Sequence, residues 1–193
     1  IRAFGRLIRI DRPIGILLLL WPTLTALWIS SSGIPDVKLI VIFSAGTLVM
    51  RSAGCCINDY ADANFDGHVN RTKNRPIILG EITPKQALFS FGALCSLAFI
   101  LVLFLNLKTI ILSIGAFCLA AIYPFMKRIT DMPQVVLGIA FSFGILMAFS
   151  SVQPEIPTAG YFLFFGTIFW TIAYDTQYAM SDREDDLVIG RRS

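Results

Sequence analysis

Residues 135–152 read VVLGIAFSFGILMAFSSV and residues 109–125 read TIILSIGAFCLAAIYPF, with no charged side chain in either stretch. About twenty predominantly apolar residues cross a bilayer as a helix. Neither stretch alternates polar and apolar residues as a half-buried strand would. In lipid every backbone N–H and C=O must find its partner internally, and a helix provides this within one segment. Working outward, four further stretches have the same character: 14–32, 39–57, 87–107 and 159–180. Pro22 inside the first is tolerable as a kink within a bundle. The expected architecture is all-α: a polytopic bundle of six transmembrane helices forming one membrane-embedded domain over residues 1–193.

Composition agrees. Of 193 residues, 55% are apolar and only 15% are charged, against about 25% charged in soluble domains; the mean hydropathy is +0.71. A soluble globular domain, a disordered chain and a disulfide scaffold are excluded. Cys55, Cys56, Cys95 and Cys118 all fall in apolar spans without a C-x-x-C pair, and His68 is the one histidine. They read as small packing residues rather than zinc ligands. Residues 1–12 (IRAFGRLIRIDR) resemble an interfacial basic helix rather than a signal peptide, since no small-residue cleavage site follows. The first residue is Ile1, so the start of the gene product is expected to lie upstream. The net charge of +3 is spread over loops and makes no basic stripe for nucleic acid. Nothing marks a protein partner.

Positive charge orients the bundle. Arg2, Arg6, Arg9 and Arg12 precede the first span. Arg71, Lys73, Arg75 and Lys85 follow the second, Lys127 and Arg128 follow the fourth, and Arg183, Arg191 and Arg192 follow the sixth. The opposite loops hold only Lys38 and Lys108, while Arg51 lies within a span. The N-terminus is therefore expected on the cytoplasmic side, together with two acidic clusters: Asn58-Asp59-Tyr60-Ala61-Asp62-Ala63-Asn64-Phe65-Asp66 and the run from Asp175 to Asp186.

On a continued helix Asn58, Asp62 and Asp66 stack on one face, with Arg51 two turns deeper. Asp175, Tyr178, Asp182 and Asp186 follow a similar spacing. Two opposed faces of carboxylates at a low-dielectric boundary repel unless a cation sits between them. Carboxylate oxygens suit Mg²⁺ shared with phosphates, and Arg71, Arg75 and Lys127 are placed to grip further phosphate oxygens. The ligand this implies is a diphosphate with an apolar tail. The plainer alternative is a solvated rim of helix caps and ion pairs, which fits Glu184 and Asp185 and leaves Asp59 and Asp175 open. Arg51 costs at least about 2.5 kcal/mol within a span. It either pairs with a neighbouring acid or offers a fixed site for a substrate carboxylate.

These residues resemble the UbiA family of intramembrane aromatic prenyltransferases. The first family signature, N-D-x-x-D-x-x-x-D, is met by Asn58, Asp59, Asp62 and Asp66, and it continues through Asp66-Gly67-His68-Val69-Asn70-Arg71-Thr72-Lys73-Asn74-Arg75-Pro76. The second, Y-D-T-x-Y-A-x-x-D-R-x-D-D, is met from Tyr174 to Asp186. Further matches are Arg9-Ile10-Asp11-Arg12-Pro13-Ile14-Gly15, Trp21-Pro22-Thr23 and Tyr123-Pro124-Phe125-Met126-Lys127-Arg128. The resemblance implies a fold of nine spans, so that this chain would lack a C-terminal part. It also implies Mg²⁺-dependent transfer of a polyprenyl group from its diphosphate to a ring carbon of 4-hydroxybenzoate, as in ubiquinone synthesis. The setting it implies is a bacterial or mitochondrial inner membrane.

By position, the resemblance makes Asp62, Asp66, Asp182 and Asp186 the metal ligands. Arg71, Lys127 and Arg75 become the diphosphate grip, and Arg51 and Asn58 the acceptor site. Tyr123, Tyr174 and Tyr178 are candidates to stabilise an allylic cation, and Asp175 is a candidate base or phenol-orienting group. Two rivals fit less well. A CDP-alcohol phosphotransferase wants D-x-x-D-G, but Ala63 follows Asp59 and Asp62. A transporter wants acids at mid-span, whereas these gather at one mouth.

Overall fold

A computed structural model describes residues 2–63, 72–126, 129–130 and 132–188, with side chains as far as 180. Seven helices account for nearly all of it: α1 (Arg2–Leu7), α2 (Ile14–Ser31), α3 (Val37–Ala61), α4 (Pro84–Val102), α5 (Leu107–Met126), α6 (Pro133–Val152) and α7 (Thr158–Val188). No strand occurs among the described residues. The all-α expectation holds. Five helices, α2 to α6, are long and apolar enough to cross a membrane. The sixth expected span is the first part of α7, whose 31 residues make a rod of about 46 Å. That exceeds a hydrocarbon core of about 30 Å, so its polar C-terminal part must emerge into water.

Local chemistry sets the helix ends. The Asp36 side chain accepts from Lys38 N (2.8 Å) at the start of α3. Thr83 and Gln86 close a reciprocal capping box around Pro84 at the start of α4, satisfying N–H groups that the first turn leaves open. Asn106 Oδ1 accepts from Thr109 N (2.9 Å) at the start of α5. Pro22 interrupts the hydrogen-bond ladder of α2, and beside it the Thr23 hydroxyl donates to Leu19 O (2.9 Å).

The spans alternate in direction, so the short 32–36, 103–106 and 153–157 connections lie at one end. The arm α1, the 72–83 segment, the end of α5 and the end of α7 lie at the other. α3 packs most closely on α4, and α6 packs on α2, α5 and α7. The helices meet in an apolar core of Ala26, Leu27, Phe43, Ile145, Ala148 and Phe149. At Gly144 a Cβ would lie 2.5 Å from Thr23 Oγ1, so only glycine permits this α2–α6 approach. A second cluster, Leu7, Cys56, Ile82 and Ala87, ties α1 and the 72–83 segment against α3 and α4. Outward, Phe89, Leu107, Phe162 and Phe169 stand largely exposed, as lipid-facing side chains should.

The expected interfacial helix over residues 1–12 is shorter than the sequence reading gave it. α1 ends at Leu7, and turns lead to Pro13. A second correction concerns the first acidic cluster. α3 stops at Ala61, with Asp62 as its C-cap donating its N–H to Asn58 O (2.9 Å). The helix expected to continue along this cluster thus ends at Ala61, and Asp66 lies outside the described residues.

Candidate active site at the charged mouth

A cavity of about 590 Å³ opens at the end where the charges gather and narrows into the apolar bundle. Its mouth is made by Arg9, Asp59, Asp62, Thr72, Asn74 and Arg75. Arg51, Asn58, Tyr123, Tyr174, Asp175 and the half-exposed Tyr178 also line it, and its other walls are apolar, with Leu101, Phe141 and Met147 among them. The volume suits a small-molecule site. Polar at one end and greasy at the other, it matches an amphipathic ligand.

Arg51, Asn58 and Asp62, at i, i+7 and i+11 on α3 and its C-cap, all line the cavity. Asp59, one position off that face, is 2% exposed and holds two guanidinium groups on the same oxygen. Arg9 Nη2 lies 2.7 Å and Arg75 Nη1 3.1 Å from Oδ1. Asp59 thus belongs to an ion-paired latch, and the pair fixes the position of Arg75 at the cavity mouth. Arg9 reaches Asp59 from a left-handed backbone conformation, φ 57°, which costs an L-residue about 1–2 kcal/mol. A second ion pair, Arg6 with Glu81, ties α1 to the segment before α4. The sequence reading missed this latch, since Arg9 and Arg75 meet Asp59 only through the tertiary fold.

Arg51 pairs with no acid among the described residues. Its Nη1 donates to Cys55 Sγ (3.1 Å), one turn along α3. Its Nε is buried without a partner among the described residues. The guanidinium lies against Gly15 at the start of α2, where a Cβ would come within 2.6 Å of Nη2 and 2.7 Å of Nε. Tyr123 stands within electrostatic range of Asp62, Asp175, Arg51 and Tyr174. Tyr174 meets Trp170 edge-on at 5.3 Å between ring centroids. Cys55 and Cys56 are buried as expected, but Cys118 is exposed on the outer face of α5.

Asp66, His68, Arg71 and Lys127 lie outside the described residues. Asp182 and Asp186 fall on α7, which runs unbroken to Val188. Their positions continue the helical register of Asp175 and Tyr178, both of which line the cavity. Among the described residues no three acids, cysteines or histidines gather closely enough to hold a metal. The donor chemistry nevertheless suits Mg²⁺: Asp62 contributes carboxylate oxygens at the mouth, and the α7 register brings two further aspartate positions toward the same end.

A helical membrane bundle with a polar, charged mouth over an apolar cavity is the class of protein that fold and site define. Residues 19–193 match the model of the UbiA prenyltransferase family, and the chain belongs to that family. It is 55% identical over 190 residues to the 4-hydroxybenzoate octaprenyltransferase of Pseudomonas aeruginosa, covering 98% of this chain and 64% of that protein. The protein of the same name from Saccharophagus degradans is 57% identical over 191 residues, covering 99% of this chain and again 64% of the relative. The chain thus spans somewhat under two thirds of these relatives' length. Its fold is similar to that of a UbiA homolog from Archaeoglobus fulgidus bound to GPP and Mg²⁺, with TM-score 0.79, 19% identity, and 98% of this chain and 67% of that one covered. A UbiA homolog from Aeropyrum pernix gives TM-score 0.78, 23% identity, and 92% and 66% coverage.

Proposed function

We propose that the full-length protein transfers a polyprenyl group from polyprenyl diphosphate to a ring carbon of 4-hydroxybenzoate and releases diphosphate, serving ubiquinone synthesis. The observation that carries this reading is Arg51: a guanidinium inside a membrane helix, facing the cavity, with no acid of its own among the described residues. Its charge within a span is costly, and an aromatic acid entering the cavity would neutralise it. The shared name of the Pseudomonas and Saccharophagus relatives supports the same acceptor. The membrane would be a bacterial or mitochondrial inner membrane, with the charged mouth on the cytoplasmic or matrix side, as the distribution of Lys and Arg favours.

Asp62, with Asp66, Asp182 and Asp186, would hold Mg²⁺, which when bound neutralises charge on the departing diphosphate. Arg75, fixed by Asp59, and Arg71 and Lys127 take the remaining phosphate oxygens. The allylic C–O bond breaks with its electron pair going to diphosphate. The faces of Tyr123, Tyr174 and Tyr178 stabilise the allylic cation, and the apolar walls keep water from it. Arg51 and Asn58 hold the acceptor so that the ring carbon beside the phenol oxygen forms the new C–C bond. The proton on that carbon then leaves, with Asp175 as the acceptor or the group that orients the phenol.

The test is product formation by the full-length protein in membranes, with a polyprenyl diphosphate and a panel of aromatic acids. Prenylated 4-hydroxybenzoate that disappears with EDTA and with Asp62→Ala is the expected result. Transfer to none of the acids would overturn the reading.

A further inference from the structure

Gly15 occupies the first turn of α2, where alanine would support the helix better by about 1 kcal/mol in an interior position. Its backbone is ordinary: its φ is not in the left-handed region that calls for glycine. The reason for glycine is spatial. A Cβ there would lie 2.6 Å from Arg51 Nη2, 2.7 Å from Nε and 3.0 Å from Cζ, so it would overlap the guanidinium plane itself. Cys55 Sγ holds Nη1 at 3.1 Å from the other side. Between them the guanidinium is fixed with Nε buried and without a partner among the described residues. All of the atoms that would clash belong to a long side chain, so a methyl at position 15 would swing Arg51 aside rather than force α2 from α3.

We infer that Gly15 is a positioning residue for Arg51, and that the space it leaves sets the protein's preference for an acceptor bearing a carboxylate. The inference rests on the proposed prenyl transfer and adds to it the residue that makes the acceptor site selective. Without a fixed guanidinium, a carboxylate gains little over a neutral group of the same shape, because a mobile Arg must be ordered anew for each encounter.

The experiment compares 4-hydroxybenzoate with its neutral analogue 4-hydroxybenzamide, using the full-length protein in proteoliposomes at saturating polyprenyl diphosphate. Gly15→Ala is expected to raise KM for 4-hydroxybenzoate about tenfold or more, the scale of one hydrogen bond to a charged group. KM for the benzamide and for polyprenyl diphosphate should stay within about twofold. Gly92→Ala, where a Cβ meets nothing within 4 Å, is the control and should change neither. On an Arg51→Ala background Gly15→Ala should add nothing.

An equal loss on both acceptors, or no change, overturns the inference while prenyl transfer stands. So does a wild type that prenylates both acceptors alike. If the Gly15→Ala protein does not accumulate, the Gly15→Ala/Arg51→Ala pair decides. Recovery shows that the methyl collided with Arg51 and supports the inference, and continued failure overturns it. If the wild type prenylates neither compound, prenyl transfer itself falls, and direct binding of 4-hydroxybenzoate still tests Gly15: an unchanged Kd in Gly15→Ala rejects it.

Discussion

Asp59 stands beside Asp62 in the same acidic cluster, yet the two differ in surroundings and so in the consequence of losing them. Asp59 is buried between Arg9 and Arg75. Removing one partner of a buried ion pair leaves the others uncompensated, at roughly 3 kcal/mol or more. Asp59→Ala should therefore lower unfolding stability in detergent by about that amount, seen as a lower midpoint in a denaturant titration, with Asp59→Asn losing less. Asp62 faces the cavity, and Asp62→Asn keeps its shape while removing its charge. The full-length protein should then lose turnover by about 100-fold or more, as expected for a group that helps stabilise leaving-group charge. Its denaturation midpoint should move less than that of Asp59→Ala; the reverse ranking would exchange the roles assigned to the two acids. Arg51, Asn58 and Asp62 were readable from spacing because a helix turns i, i+7 and i+11 onto one face. The Asp59 latch was not readable, since Arg9 is fifty positions away and periodicity carries no information at that distance.

Among the elements, α2 and α6 are held at a distance that depends on Gly144. Gly144→Ala places a methyl 2.5 Å from Thr23 Oγ1, and such overpacking typically costs about 1–3 kcal/mol. Gly166→Ala on α7, where a Cβ meets nothing within 4 Å, should instead be neutral or stabilising by up to about 1 kcal/mol. Measuring the two variants side by side separates packing from propensity, and equal effects would show that the close approach is not what holds these helices. The spans themselves were legible because charge-free runs of membrane length leave lipid few alternatives to a helix. Their ends were less so. α3 continues past its apolar run to Ala61, since Asn58, Asp59 and Tyr60 keep helical backbone once their side chains find polar surroundings. α7 likewise outlasts its apolar part.

For the molecule as a whole, the mouth is a polar, charged rim on a body whose outer surface is largely apolar. Exposed charges are screened over about 8 Å at physiological salt. KM for polyprenyl diphosphate should accordingly rise as salt increases from about 20 to 500 mM. KM for the acceptor, held by the deeper Arg51, should rise less. Equal salt dependence for both substrates would place Arg51 in solvent contact. The general design, a greasy bundle charged at one end, could be read from composition and loop charge. How that end is closed could not, because the closure joins segments that only the finished fold brings together.

That closure also has a history. The guanidinium of Arg9 leaves the ribosome fifty positions before its carboxylate partner, and Arg6 emerges seventy-five before Glu81. The first contact cannot form until α3 has been made, nor the second until the segment that follows it has been synthesised. The rim must therefore be assembled last among the parts contributed by the first two spans. A nascent chain halted early in α3 would display Arg6 and Arg9 to the anionic headgroups before Glu81 and Asp59 exist, which would hold the arm at the bilayer surface until Asp59 arrives to draw it inward.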